Sequence, residues 1–278
     1  MPNLLKAELH CHIDKDPDDS HFITYSAIDL INQAKKLDFK VLGITCHNYV
    51  YFNQEADHYA QKNGILLLHG AELNLEGKHN LVYSITNEQI EKIKTFQDLK
   101  ELKRNNPEIF VIAPHPFHYF SNCLKDNIIK YPDLFDAWEF SFFYTRWFNP
   151  NKRTLRLAKK HHKQLVGNSD VHFLKDLGKT YTLIDSIPEK KAIFQAIAEG
   201  KSTIITTPLT MAECFRRFCT EIISALKKNL IKKKAKEHGV IEKCWSTLVE
   251  DEAITHKEVD KGDAPYGERR LSKGRSKV

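Results

Sequence analysis

"KAELHCHID", residues 6–14, places two histidines two positions apart at the end of the first apolar run. Read as a strand, the run alternates faces with a period of two. Ala7, Leu9 and Cys11 then face one way, and Glu8, His10 and His12 the other. Two imidazoles on one face at a strand end are either a polar rim or half of a metal site. The stretch alone leaves both open, and the residues downstream decide.

Short β-branched runs alternate with amphipathic segments through the next 190 or so residues. "KVLGITCH" (40–47), "ILLLHGAEL" (65–73), "HNLVYSI" (79–85), "IFVIAPHP" (109–116), "LFDAWEF" (134–140), "QLVGN" (164–168), "TYTLID" (180–185) and "STIIT" (202–206) read as strands. "YSAIDLINQAKKLDF" (25–39) reads as a helix with Ile28, Ile31, Ala34 and Leu37 or Leu30 on its inner face. Helices are also expected over 53–64, 95–106, 151–162 and 188–200. Alternation of this kind favours a mostly parallel α/β sheet, open or closed as a barrel.

The chain has 278 residues, six scattered cysteines and fourteen histidines. The cysteines (Cys11, Cys46, Cys123, Cys214, Cys219 and Cys244) lack C-x-x-C spacing, so reduced thiols in a cytoplasm are expected. No apolar run approaches the ~20 residues of a membrane span, and no secretory signal is expected from "MPNLLKAELH". The net charge of +6 is uneven: residues 211–278 carry 16 Lys and Arg against 11 Asp and Glu, and residues 1–210 carry 26 against 25. Two parts are therefore expected, a body over 1–210 and a basic helical extension with a disordered tail over 211–278. The run "LKKNLIKKKAK" (226–236) could contact nucleic acid or simply be a solvated helix face.

The polar residues recur where strands end. His10 and His12 close the first strand, His47 the second, Glu72 follows "ILLLHGA", His115 follows "IFVIAP", and Asp170 and His172 follow "QLVGNS". In a parallel barrel those ends share one face, so strands distant in sequence deliver their groups to one pocket. Imidazole with carboxylate suits Zn²⁺, Mn²⁺ or Fe²⁺. A carboxylate such as Glu72 has two oxygens and can bridge two ions, which can share and activate one hydroxide against a phosphoryl group.

"ELHCHI", "GITCHN", "GAELN", "APHPFH" and "GNSDVH" resemble, in order, the motifs of the polymerase and histidinol phosphatase (PHP) domain family, over roughly residues 5–208. The resemblance implies a distorted (β/α)7, TIM-like barrel, two to three divalent metal ions and phosphoester hydrolysis. It assigns His10, His12, Glu72 and Asp170 to a first metal. Glu72, His115 and His79 go to a second, and His47 and His172 to a third. The third set is completed from "DKDPDDSH", where Asp16, Asp18, Asp19 and His21 are candidates and Asp16 and Asp19 are favoured. Cys46 stands where the family has an aspartate.

Arg146, in "FFYTRWFNPNK", is the expected phosphate-binding cation, with Lys152 and His118 behind it. The expected function is a metal-dependent phosphoesterase acting on a small phosphomonoester or nucleotide. The alternatives are an amidohydrolase-type metal hydrolase and a non-catalytic barrel that binds a partner or nucleic acid through its basic segment.

Overall fold

In the computed structural model, which describes residues 4–220, the alternation becomes a regular order of elements. They are β1 (Leu4–Cys11), α1 (Ala27–Lys36), β2 (Val41–Ile44), α2 (Gln54–Lys62), β3 (Leu66–Leu75), β4 (Lys78–Tyr83), α3 (Asn87–Lys92) and α4 (Phe96–Asn105). Then follow β5 (Phe110–Ala113), α5 (Asn127–Lys130), β6 (Ala137–Ser141), α6 (Asn151–Lys160), β7 (Gln164–Asn168), β8 (Thr180–Asp185), α7 (Lys190–Ala198) and β9 (Ser202–Thr206).

Local chemistry starts several of these helices. Ser26 caps α1 by accepting from the Asp29 amide while the Asp29 carboxylate accepts from the Ser26 amide, and Thr86–Gln89 and Thr95–Asp98 repeat this reciprocal cap. In α1, Leu30, Ile31 and Ala34 are buried, whereas Ile28 and Leu37 pack only at the edge. Each fully buried aliphatic side chain stabilises the fold by roughly 1.5–3 kcal/mol.

The sheet runs β7-β6-β5-β4-β3-β2-β1-β8-β9. β1, β2 and β3 are parallel, as are β5, β6 and β7; β4 lies antiparallel between the two sets. β3 runs on to Leu75, two residues past the expected end at 73, and Glu72 lies within it. The chain then reverses through Glu76 (φ 50°) and Gly77 (φ 74°) into β4. Left-handed backbone at both positions is what a tight two-residue hairpin needs.

β1 and β7 come together without a regular ladder. His12 N donates to Val171 O at 3.0 Å and Val171 N to His10 O at 2.9 Å. Around this pair, Leu9 N donates to Asn168 Oδ1 at 3.1 Å and Ser169 N to the buried Glu8 carboxylate at 2.9 Å. The result is a nearly closed, distorted barrel, with β8 and β9 continuing the sheet from β1. Inside lie Ala7, Leu9, Val41, Leu68, Leu81 and Val166. α1 and α2 cover Cys11, Leu42, Ile44 and Cys46 on the outside.

Strict alternation along β1 fails at one point. Glu8 pairs with Leu42 and Cys11 with Ile44, so β1 holds one residue more than β2 over that span. This bulge flips the phase: Ala7 and Leu9 face the barrel interior, whereas Cys11 faces the helices. His10 and His12 are thereby turned to the inside, a re-aiming that bulges commonly perform beside functional sites.

Residues 211–220 are helical and fall in the same compact unit as the barrel, Met1–Glu221. The basic segment 226–236, Cys244 and the expected disordered tail lie outside the described residues. Among the described residues no helix is long and apolar enough to cross a membrane, and Cys11, Cys46, Cys123, Cys214 and Cys219 are free thiols.

Candidate metal centre

One end of the barrel gathers the expected residues. His10 and His12 arrive from the bulged end of β1, Glu72 from β3, and His79 from the start of antiparallel β4. His115 follows β5, and Asp170 and His172 follow β7. His47 is fixed beside Glu72 by a parallel bridge in which Glu72 N donates to Cys46 O at 3.1 Å and Asn48 N to Glu72 O at 3.0 Å. His115 (φ 27°) and Asp170 (φ 45°) sit in left-handed backbone, which non-glycine residues adopt mainly where the surroundings enforce it.

The two oxygens of Glu72 face different partners. Oε2 lies 3.4 Å from His10 Nε2, 3.5 Å from His12 Nε2 and 3.1 Å from His47 Nε2. Oε1 lies 2.8 Å from His79 Nδ1 and 3.3 Å from His115 Nε2. Asp170 Oδ1 lies 3.3 Å from His10 Nε2 and 3.4 Å from His12 Nε2. His10 Nε2, His12 Nε2 and Asp170 Oδ1 are buried with no hydrogen-bond partner.

Those orphaned atoms test the fit of a metal. Four ligands bonded tetrahedrally at about 2.0–2.1 Å lie about 3.3–3.4 Å from one another. The four imidazole-to-carboxylate separations that link His10 and His12 to Glu72 and Asp170 match that spacing, and buried polar atoms otherwise lack reason to stay unpaired. The donor set fits a divalent ion.

The outward nitrogens of the same rings are tied back. His10 Nδ1 donates to Glu139 Oε2 at 2.9 Å, and His12 Nδ1 to Asp16 Oδ2 at 2.7 Å. Such carboxylate–imidazole pairs fix the tautomer and leave the opposite nitrogen as the ligand. Asp16 is fully buried and also accepts from His47 Nδ1 at 3.0 Å, His47 N at 2.9 Å, Asp18 N at 2.9 Å and Asp19 N at 3.1 Å. Asp16 thus engages the Nδ1 side of both rings, and His12, Asp16 and His47 form a buried group that could itself hold an ion.

Asp19 faces the cluster, with Oδ2 3.1 Å from His172 Nε2 and 3.7 Å from His47 Nδ1. The expected third set is thus drawn together around Asp19 and His172, while His47 turns Nε2 towards Glu72. Asp18 is half-buried, and its amide binds Asp16; His21 is exposed and stacks edge-on with Phe22. Cys46 is buried among the apolar residues under α1 and α2, and burial pushes its thiol well up.

Charge within the cluster is mutually dependent. Burial would raise Glu72, yet the imidazoles of His79, His10 and His115 hold it well below the usual carboxylate range. Burial likewise opposes Asp170, which His10 and His172 keep ionised. Burial works against a charged His47, but Asp16 and Glu72 lift it to about 10. His10 and His172 are raised in the same way by their carboxylate neighbours. The carboxylates need cations beside them, and a divalent ion would replace protons at the same lone pairs.

A cleft of about 160 Å³ opens over Glu72, His115, Asp170 and His172. Arg146 is exposed and does not line it. The arginine that does is Arg217, from the 211–220 helix, which is ion-paired with Asp176 and lies 4.3 Å over the Phe173 ring. Nothing in the sequence pattern links Arg217 to the barrel mouth, because the docking of that helix is a tertiary event. His118 lines the cleft, its Nε2 donating to Phe143 O at 3.0 Å. Lys152 lines a separate groove beside it. Asn122 and Cys123, which sequence reasoning passed over, support the site: Asn122 Nδ2 lies 3.2 Å from His79 Nε2, and the Cys123 thiol 3.5 Å from His115 Nδ1.

Residues 148–202 match the family model described as PHP-associated. The crystal structure of PsfC from Pseudomonas syringae is similar over 82% of this chain and 99% of its own, at 17% identity and a TM-score of 0.52, a likeness that establishes the fold. A proposed metal-dependent phosphoesterase from Bifidobacterium adolescentis aligns at 17% identity over 62% of this chain and 90% of its own, with a TM-score of 0.45. An amidohydrolase from Chromobacterium violaceum, with bound sulfate and no metal, aligns at 12% identity over 60% and 87%, also at 0.45. Those two scores carry no weight. No curated protein matches the chain.

Proposed function

From a PHP-type barrel with this cluster at its mouth, we propose that the chain is a metal-dependent phosphoesterase. The observation that carries the reading is the split of Glu72, whose two oxygens face two different sets of histidines. A first divalent ion would be held by His10, His12, Glu72 and Asp170. A second would be held by Glu72, His79 and His115, and His172, Asp19 and His47 offer donors for a third. Zinc and manganese both suit this mixture of imidazole and carboxylate.

Divalent ions in such a cluster supply Lewis acidity towards a phosphoryl oxygen and lower the pKa of water. The chain's own residues prepare the place for that chemistry. Glu139 and Asp16 hold the His10 and His12 rings in one tautomer. Arg217, ion-paired with Asp176 in the lining of the cleft, replaces Arg146 as the cation that would face phosphoryl charge. Glu72 would serve where amidohydrolases usually use a carbamylated lysine between their metals, and this favours phosphoester over amide substrates.

Stripped of metal and reloaded with Mn²⁺ or Zn²⁺, the protein is expected to bind at least two ions per chain and to release phosphate from a panel of phosphoesters. Glu72→Gln, measured by metal analysis, is expected to lower the metal content and to abolish turnover. Full metal loading without turnover on any ester would overturn the proposal.

A further inference from the structure

Next to the metal cleft lies a second cavity of about 310 Å³, walled by Tyr119, Phe120, Phe143, Phe148, Phe215 and Phe218. His118, Phe120 and Phe143 line both cavities, so the two share a wall. The rings are already arranged against one another: Tyr119 and Phe148 have centroids 5.0 Å apart, and Phe120 and Phe143 6.1 Å. Yet much of this surface is open, with Phe215 70% and Tyr119 73% exposed. Monomeric proteins rarely leave so many large rings together in water unless something binds there.

The far wall is anchored to the barrel. Thr210 and Glu213 cap the 211–220 helix, Glu213 pairs with Lys179 at 2.9 Å, and Arg217 pairs with Asp176. Arg217 lines the metal cleft, while Cys214 and Phe218 of the same helix line the apolar cavity. One helix therefore offers a cation to the cleft and an apolar surface to its neighbour.

Resting on the phosphoesterase reading, we propose that the substrate is a phosphoester whose leaving group carries a flat aromatic ring, seated in this cavity while the phosphoryl group lies at the metal cluster. Shared walls put the two groups within reach of each other. Flat rings gain most from stacked and edge-on aromatic neighbours, and a pocket with so few polar groups offers little to a sugar or an amino alcohol. Hydrolysis forms a P–O bond from water and breaks the P–O bond to the leaving oxygen, which takes up a proton from that water; no other reactant is required.

The test has a catalytic arm and a binding arm. With metal-loaded protein, kcat/KM is compared for 1-naphthyl phosphate, 5′-AMP and glycerol 2-phosphate. At least one aromatic ester is expected to exceed glycerol 2-phosphate by about 100-fold, in line with burial of one ring. Whichever aromatic ester leads tells a hydrocarbon ring from a nucleobase. With metal-free protein, binding of 1-naphthol is followed by fluorescence titration. Phe148→Ala and Phe215→Ala are each expected to weaken that binding by about 10-fold, and Phe215→Leu to restore part of it. The Phe148 variant leaves the 211–220 helix untouched, so a fold defect in the other variant does not mask the result.

Equal turnover of glycerol 2-phosphate and both aromatic esters, with 1-naphthol binding unchanged in both alanine variants, would overturn the proposal and leave phosphoester hydrolysis standing. Naphthol binding that depends on Phe148 and Phe215, with no ester hydrolysed, would overturn the hydrolase reading and leave an aromatic-ligand pocket.

Discussion

At the scale of single residues, Asp16 shows how one carboxylate can tie two candidate ligand rings together, and we read it as their anchor. Two imidazole nitrogens and three backbone amides converge on its two oxygens. Asp16→Asn would set an amide N–H against imidazole N–H groups and release the rings. We expect divalent metal affinity, measured by chelator competition, to fall by roughly 10- to 100-fold while the fold persists. An unchanged affinity would remove Asp16 from any orienting role. The sequence identifies the residue types of this cluster, because His, Asp and Glu at successive strand ends have few other uses. It does not separate Asp16 from Asp19, which lie three residues apart. Their roles follow from the turn in which Asp16 N binds Ile13 O and Ser20 N binds Asp16 O, and that turn has no periodic signature.

At the scale of elements, periodicity reveals helices and strands but not their interruptions. The one-residue bulge in β1 is invisible in "KAELHCHID" because apolar and polar residues alternate straight through it, as they would along an unbroken strand. Without it His10 and His12 would point at α1 and α2. Arg217 escaped notice for a related reason, since only the docking of its helix brings it to the cleft. That docking depends on Thr210 and Glu213 at the helix start. Thr210→Ala is expected to cost about 1 kcal/mol of local helix stability, read as faster amide exchange over 211–218. Lys179, with the amide and hydroxyl of Thr210, holds the Glu213 carboxyl down to about 2. A depressed folded-state value means that its support is complete above the ordinary carboxylate range and is lost as pH falls through about 2. Protection of this segment is therefore expected to decline between about pH 4.5 and 2, and to do so less in Glu213→Gln.

At the scale of the whole molecule, the α/β barrel was legible from the alternation of elements, and its incomplete closure was not. β4 breaks the parallel pattern, and β1 meets β7 through a few hydrogen bonds instead of a full ladder. Removing divalent metal is expected to lower Tm, and adding it back to raise Tm with the logarithm of its concentration, as binding to the native state alone requires. Differential scanning calorimetry across a chelator series checks this. A Tm indifferent to metal would mean that the cluster closes without ions.

The seam has one more consequence, in the language of polymer loops. Its hydrogen bonds join residues 159 and 161 positions apart, and His10, His12 and Asp170 flank that junction. An ion bound by those three would be a cross-link between the two ends of the barrel, topologically equivalent to a disulfide closing a loop of that size. A covalent link over a loop of about 100 residues restricts the unfolded chain by roughly 4–5 kcal/mol. A metal clasp differs in being reversible: opening the barrel requires the ion to lose ligands from one side first, so metal should slow unfolding as well as oppose it.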